Sequence, residues 1–212
     1  IQPWDDLAKL CGLDVGPRGG ISITDWCVTT TDPDVYAVGE CASHDGRTYG
    51  LVGPGNAMAR VVADHIAGRE GNPFGNVDCS TKLKISGFDV GIIGDSLAKT
   101  PDCRTMVYSK ETEGVYKQLI TDSTGEKIVG CILVGDAGQY NNILSIMLND
   151  LPVPQPAEIL ILPTFDASAA AVGTVETLPP TATVCSCHNV KKEDVSCAVK
   201  DGCHDMESIK KC

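Results

Sequence analysis

Apolar and polar positions alternate or recur along this chain in blocks that change character twice. Leu7, Leu10 and Cys11 recur at helical spacing within residues 4–13, and Gly12 is a suitable stop. Ile21-Ser22-Ile23 alternates as a strand does, and Val35-Tyr36-Ala37-Val38 is a short apolar run suited to a buried strand. A Gly-rich loop from Asp45 to Gly55 follows. A helix then opens at Asn56 and runs to about Ala67, with Ala57, Val61, Ala63 and Ile66 facing inward and Gly68 ending it.

Beyond residue 80 the pattern turns to strands: Thr81 to Ser86, Phe88 to Ile93, Arg104 to Ser109, Val115 to Thr121 and Ile128 to Val134. Polar turns at Lys110 to Gly114 and Asp122 to Glu126 separate the later ones. Ile143, Ile146 and Met147 mark one amphipathic helix ending near Asn149. Six prolines between Pro152 and Pro180 then exclude long helices and central strands. Thr164 to Thr183 reads as a linker. In the tail, Val195, Ala198 and Val199 suit a short helix stopped by Gly202, and Asp205 can cap a second.

Composition narrows the partners. A net charge of −11 argues against binding phosphate backbones non-specifically. No apolar run reaches the roughly 18 residues a membrane helix needs. Eleven cysteines are present. Cys11, Cys27, Cys41, Cys79, Cys103 and Cys131 are scattered among apolar or Gly neighbours and read as ordinary thiols of a reducing compartment. Cys185, Cys187, Cys197, Cys203 and Cys212 crowd the end of the chain.

Two motifs carry chemistry. Thr31-Asp32-Pro33-Asp34-Val35-Tyr36-Ala37-Val38-Gly39-Glu40 delivers a carboxylate to the end of an apolar run, where doubly wound folds bind ligands. Tyr49-Gly50-Leu51-Val52-Gly53-Pro54-Gly55 precedes the helix from Asn56, whose N-terminus would offer free N–H groups and a partial positive charge. Taken alone, Glu40 is a solvated loop carboxylate and the second segment an ordinary turn. In the tail, Cys185-Ser186-Cys187-His188 sets two thiolates two residues apart, a spacing that suits an iron–sulfur cluster or zinc. A zinc site could draw on Cys185, Cys187, Cys203 and either His188 or His204, although this spacing matches no common finger. No GxGxxG loop and no CxxxxC redox pair occurs.

The Thr31–Glu40 run resembles the second flavin-contacting motif of FAD-dependent pyridine-nucleotide oxidoreductases, with Glu40 where many members have Asp. Ser80-Thr81-Lys82-Leu83-Lys84, Gly87-Phe88-Asp89-Val90 and Ile128-Val129-Gly130-Cys131 are similar to the domain that follows in rubredoxin reductases and nitrite reductases. The tail looks like the start of a bacterioferritin-associated ferredoxin-like module. The order of these parts resembles the large-subunit family of NAD(P)H-dependent assimilatory nitrite reductases, as an internal fragment.

That resemblance implies an α/β plus α+β chain. Residues 1–74 would be the C-terminal part of a doubly wound FAD-binding domain, 75–163 a small α+β reductase domain, 164–183 a linker, and 184–212 the start of a helical 2Fe-2S module. It implies FAD contacts at Gly39, Glu40, Tyr49, Gly50, Leu51, Val52 and Asn56, and cluster ligands at Cys185 and Cys187. No catalytic residue is implied within the chain. NAD(P)H would reduce FAD, with electrons passing through 2Fe-2S to siroheme and 4Fe-4S in the full-length protein, where nitrite becomes ammonium. A cytoplasmic location follows, with a small subunit or a second copy as partner and neither nucleic acid nor membrane. The FAD-containing electron-transfer subunit of assimilatory nitrate reductase shares this order and is the runner-up; a zinc-stabilised interaction module ranks below both.

Overall fold

The computed structural model describes residues 2–75, 77–85, 87–163, 178–185 and 188–211. The chain divides into two compact units, Ile1–Cys79 and Ser80–Cys212, a mixed α/β arrangement.

The first unit begins with helix α1 (Asp6–Leu10). Its apolar stripe points outward: Leu7 and Leu10 are 73% and 86% exposed, and Ala8 is the buried position. Asp5 explains the rotation. Its buried carboxylate accepts the Gly20 N–H at 2.8 Å and pairs with Lys9, which pins this edge of the helix to the Gly16–Gly20 turn. The Lys9 ammonium and the Gly20 N–H hold the Asp5 carboxyl below its ordinary range.

Strands β1 (Ile21–Ile23), β2 (Ala42–His44) and β3 (Arg47–Thr48) form a small sheet in that order. β1 and β2 run parallel and β2 and β3 antiparallel. Asp45 and Gly46, both at positive φ, make the tight hairpin between β2 and β3, so the sequence read as the start of a loop is a turn between strands.

The expected strand over Val35–Val38 does not form. That segment makes ladder-like backbone bonds to the 27–29 stretch, through Thr29 N–H to the Val35 carbonyl and Ala37 N–H to the Cys27 carbonyl. Among the described residues no strand pairs with its other side, and Gly39 at φ +78 turns the chain away.

Helix α2 (Val52–Ile66) starts four residues before the expected Asn56. Gly53-Pro54-Gly55 reads as a loop in sequence. A proline is nevertheless tolerated in a first helical turn, where its missing N–H has no intrahelical partner to lose. The helix buries Pro54, Met58 and Val61, while Ile66 is exposed at 68% and Ala63 is also exposed. It ends as expected at Gly68, whose φ of +63 forms the left-handed stop. Ile23, Cys27, Ala37, Ala42, Met58, Val61 and Phe74 make this unit's core.

The second unit holds the antiparallel sheet β4 (Thr81–Ile85), β5 (Phe88–Gly94), β6 (Arg104–Lys110), β7 (Val115–Thr121) and β8 (Ile128–Val134), in spatial order β4-β5-β8-β7-β6. All five match the sequence expectation within a residue or two. Asp122 fixes the β7–β8 hairpin by accepting the N–H groups of Gly125 and Glu126 at 2.8 and 3.0 Å. Helix α3 (Tyr140–Leu148) sets Tyr140, Ile143 and Ile146 against Ile93, Leu119, Cys131 and Leu133 of the sheet. Gly91 is required here, because a Cβ on it would lie 2.7 Å from the Tyr140 ring.

Lys117 shares that covered face. Its nearly buried ammonium donates to the Asp136 carboxylate at 2.6 Å, while Asp136 is half exposed. Lys82, on β4, donates to the Ala137 carbonyl at 3.1 Å. The two lysines thereby hold the loop between β8 and α3.

The tail continues the second unit. A hairpin of β9 (Thr183–Cys185) and β10 (Val190–Lys191) leads into α4 (Lys192–Lys200) and α5 (Met206–Ile209). Gly202 and the Asp205 cap stand where the sequence puts them: the Asp205 carboxylate accepts the Ser208 N–H at 2.7 Å. Residues 164–177 of the expected linker lie outside the described residues. Its last residues do not behave as a spacer, since Ala182 is buried and Thr183 opens a strand. Among the described residues no helix is long and apolar enough to cross a membrane.

Asp136→Asn should destabilise the second unit by about 1–3 kcal/mol in denaturant titrations, because it leaves the Lys117 ammonium buried beside a neutral partner. Lys117→Met should cost less, since an apolar side chain suits that site. The Lys117 ammonium and the Gly138 N–H depress the Asp136 carboxyl. Its contribution is therefore present above the ordinary carboxylate range and disappears as pH falls below it. Acid titration of Asp136→Asn should show a flatter loss of stability there than the wild type.

Candidate functional site

The chemistry of the first unit gathers where a tight turn meets a helix end. Gly39–Cys41 forms one turn of 3-10 helix directly after the extended Val38. Gly39 donates its N–H to the Met58 sulfur at 3.2 Å, and a Cβ on Gly55 would lie 3.6 Å from its Cα. Two glycines thus bring the turn carrying Glu40 against the first turn of α2. Glu40 is exposed.

The α2 N-terminus has no side-chain cap and no acidic residue in its first turn. Its leading N–H groups therefore keep their donor capacity and the positive end of the helix dipole. Space beside Gly53 is open. A carboxylate can accept hydroxyls, and free N–H groups at a helix start can bind a polar or anionic group.

The sequence-predicted residues divide at this point. Gly39 and Glu40 lie in the turn packed on the first part of α2, where Asn56 is helical as expected and Val52–Gly55, expected before the helix, are inside it. Gly50 and Leu51 lead into it, with Leu51 at the N-cap. Val52 is 74% exposed. Tyr49 turns into the core, its ring edge-on to Phe74 at 5.4 Å, and burial raises its hydroxyl pKa.

His44 was not singled out by sequence reasoning. It is buried, packs edge-on to Phe74 at 5.1 Å and bonds Asp25 through Nε2 at 2.8 Å. A lone histidine beside small residues gives no signal of such a partner nineteen positions away.

The scattered cysteines are free thiols. Burial pushes Cys27 up to about 11 and Cys131 up to about 12, so neither is a nucleophile near neutral pH. In the tail, Cys185 is a half-buried free thiol paired with Val190 at the mouth of the β9–β10 hairpin. Cys187, the other expected ligand, lies outside the described residues, as does Cys212. Cys203 is buried. His188 and His204 are exposed. Among the described residues no group of three or more His, Cys, Asp or Glu side chains could hold a metal ion.

Known proteins define the class first. Residues 80–151 match the rubredoxin NAD+ reductase C-terminal domain family. The fold is shared with an FAD-dependent pyridine nucleotide-disulphide oxidoreductase from Desulfovibrio vulgaris, at 21% identity and a TM-score of 0.50 over 87% of this chain and 43% of that one. The class that these likenesses define is one of fold, a mixed α/β arrangement with a rubredoxin reductase-type C-terminal domain over residues 80–151.

Within it, the chain is similar along its length to the nitrite reductase (NADH) large subunit of Escherichia coli (strain K12), 47% identical over 99% of this chain and 25% of that protein. It is also 30% identical, over its whole length and 26% of the relative, to the assimilatory nitrate reductase electron transfer subunit of Bacillus subtilis (strain 168). The chain spans about a quarter of the length of these relatives.

Gly39→Ala should destabilise the first unit by about 1–2 kcal/mol although nothing crowds its Cβ, because the cost lies in a left-handed backbone. Equilibrium unfolding of the variant, with Gly53→Ala as the control at negative φ, measures it.

Proposed function

We propose that this chain is an electron-transfer segment of an NAD(P)H-dependent nitrite reductase large subunit. The observation that carries the reading is the Gly39–Glu40 turn set against the uncapped start of α2, in a chain similar along its length to such subunits. In this reading Glu40 accepts hydroxyls of the flavin's sugar-alcohol chain. The N–H groups of Val52 and Gly53 face the ring, where they stabilise the negative charge that reduction brings. Bound FAD would supply the exchange between hydride donation by NAD(P)H and single-electron transfer.

Cys185 and Cys187 would provide half of the ligands of a 2Fe-2S cluster, the other half lying outside this chain. Siroheme and a 4Fe-4S cluster, at which nitrite becomes ammonium, belong to other parts of the full-length protein. A cytoplasmic enzyme working with a small subunit or as a homodimer completes the proposal. The likeness to a nitrate reductase electron transfer subunit supports a second reading, with the same flavin and cluster roles and a different terminal acceptor.

A protein of the relatives' full length carrying this chain should purify coloured, with flavin and iron. Glu40→Ala should weaken its FAD affinity by about tenfold or more, the worth of a charge-assisted hydrogen bond, while Glu40→Gln should fall between. Equilibrium dialysis of flavin against the apoprotein measures this. Unchanged affinity would remove Glu40 from the site, and a preparation free of both flavin and iron would overturn the reading.

A further inference from the structure

We infer that Asn149 is a positioning residue that fastens the cysteine hairpin onto the sheet domain of the second unit. Asn149 closes the C-terminus of α3. Its side-chain N–H₂ donates back into its own helix, to the Ser145 carbonyl at 2.9 Å and the Ser145 hydroxyl at 3.3 Å. That orientation leaves the amide oxygen facing outward, where it accepts the backbone N–H of Thr183 at 2.8 Å across 34 positions of sequence.

The neighbouring residues form a second layer of attachment. Ala182 is 1% exposed and accepts the Lys192 N–H at 2.8 Å. The Pro180 carbonyl accepts the Glu193 N–H at 2.9 Å, and the Leu178 carbonyl accepts the Lys192 ammonium at 2.8 Å. Residues 178–183 are therefore held between the end of α3 and the start of α4.

Cys185 stands two residues beyond the anchored amide. At about 3.3 Å per residue of strand, its Cα lies within about 7 Å of that of Thr183. A thiol so close to a fixed point cannot sample the range that a Pro- and Ala-rich spacer of this length permits. The tail thus holds Cys185 at a set place on the sheet domain rather than carrying it on a swinging arm. The consequence for electron transfer rests on the function proposed above; the docking does not.

Hydrogen exchange read at single-amide resolution on the full-length protein tests the inference. Thr183 should be protected in the wild type. Asn149→Ala should speed its exchange by about tenfold, the equivalent of one lost hydrogen bond. Asn149→Asp, which keeps the acceptor and loses the donors to Ser145, should restore protection.

Ala182→Leu, which overfills the buried socket, should also speed Thr183 exchange while leaving the Ile120 and Leu133 amides of the sheet unchanged. That variant decides the matter if Asn149→Ala fails to fold. An unprotected Thr183 in the wild type would overturn the inference, as would unchanged exchange in Asn149→Ala or in Ala182→Leu. An Asn149→Asp variant that behaves as Asn149→Ala would overturn the acceptor role. Because none of these readings depends on bound flavin or iron, a colourless protein would sink the proposed function and leave this inference standing.

Discussion

The approach of Gly39 to the first turn of α2 is the contact on which the first unit's chemistry depends. Two glycines allow it: one supplies a left-handed bend, and the other brings the helix backbone close to that bend. Met58, buried one turn further along α2, then accepts the Gly39 N–H. This contact sets the turn that carries Glu40 against the first turn of α2. Neither group is unusual alone. A solvent-facing glutamate and an uncapped helix end are both common, and it is their nearness in the chain's fold on which the proposed function rests.

Much of the second unit was legible from sequence, and the reason is local. Its strands alternate, and the connections between them carry residues with their own conformational demands, such as Gly87 at φ +86 and Asp122 with its ring of backbone donors. The first unit was harder for an equally physical reason. Val35–Val38 has the composition of a buried strand, but a strand needs partners on the ladder, and composition does not say whether they exist. The helical spacing of Leu7 and Leu10 does not reveal which face of α1 is buried: both stay exposed, while the buried carboxylate of Asp5 ties the helix to the Gly20 N–H. Gly53-Pro54-Gly55 looked like a loop because each residue disfavours a helix interior, whereas the first turn tolerates all three.

The candidate site was legible in part. Glu40 and Gly39 stood out through a motif, and the structure gives them a neighbourhood the motif could not. Tyr49 was named on the same grounds, yet its ring belongs to the Phe74 and His44 cluster. His44 and Asp25 carried no readable signal, because their pairing depends on how two separated segments fold together.

Cysteine content illustrates how burial turns a composition into chemistry. Eleven thiol-bearing positions in one chain suggest redox or metal roles at many places. Cys27 and Cys131 are removed from that count by the cost of forming a thiolate in apolar surroundings, which pushes both far above neutral pH. Cys197 is exposed on α4 and belongs to no group of three or more possible metal ligands among the described residues. Cys185 differs from all of these: it is half-buried, free, and held at the mouth of a hairpin whose base is tied to α3. A metal ligand needs a free thiol on a backbone that stays in place, and Cys185 has both. The anchoring of Thr183 is therefore as much a part of the case for Cys185 as its place beside Ser186 and Cys187 in the sequence.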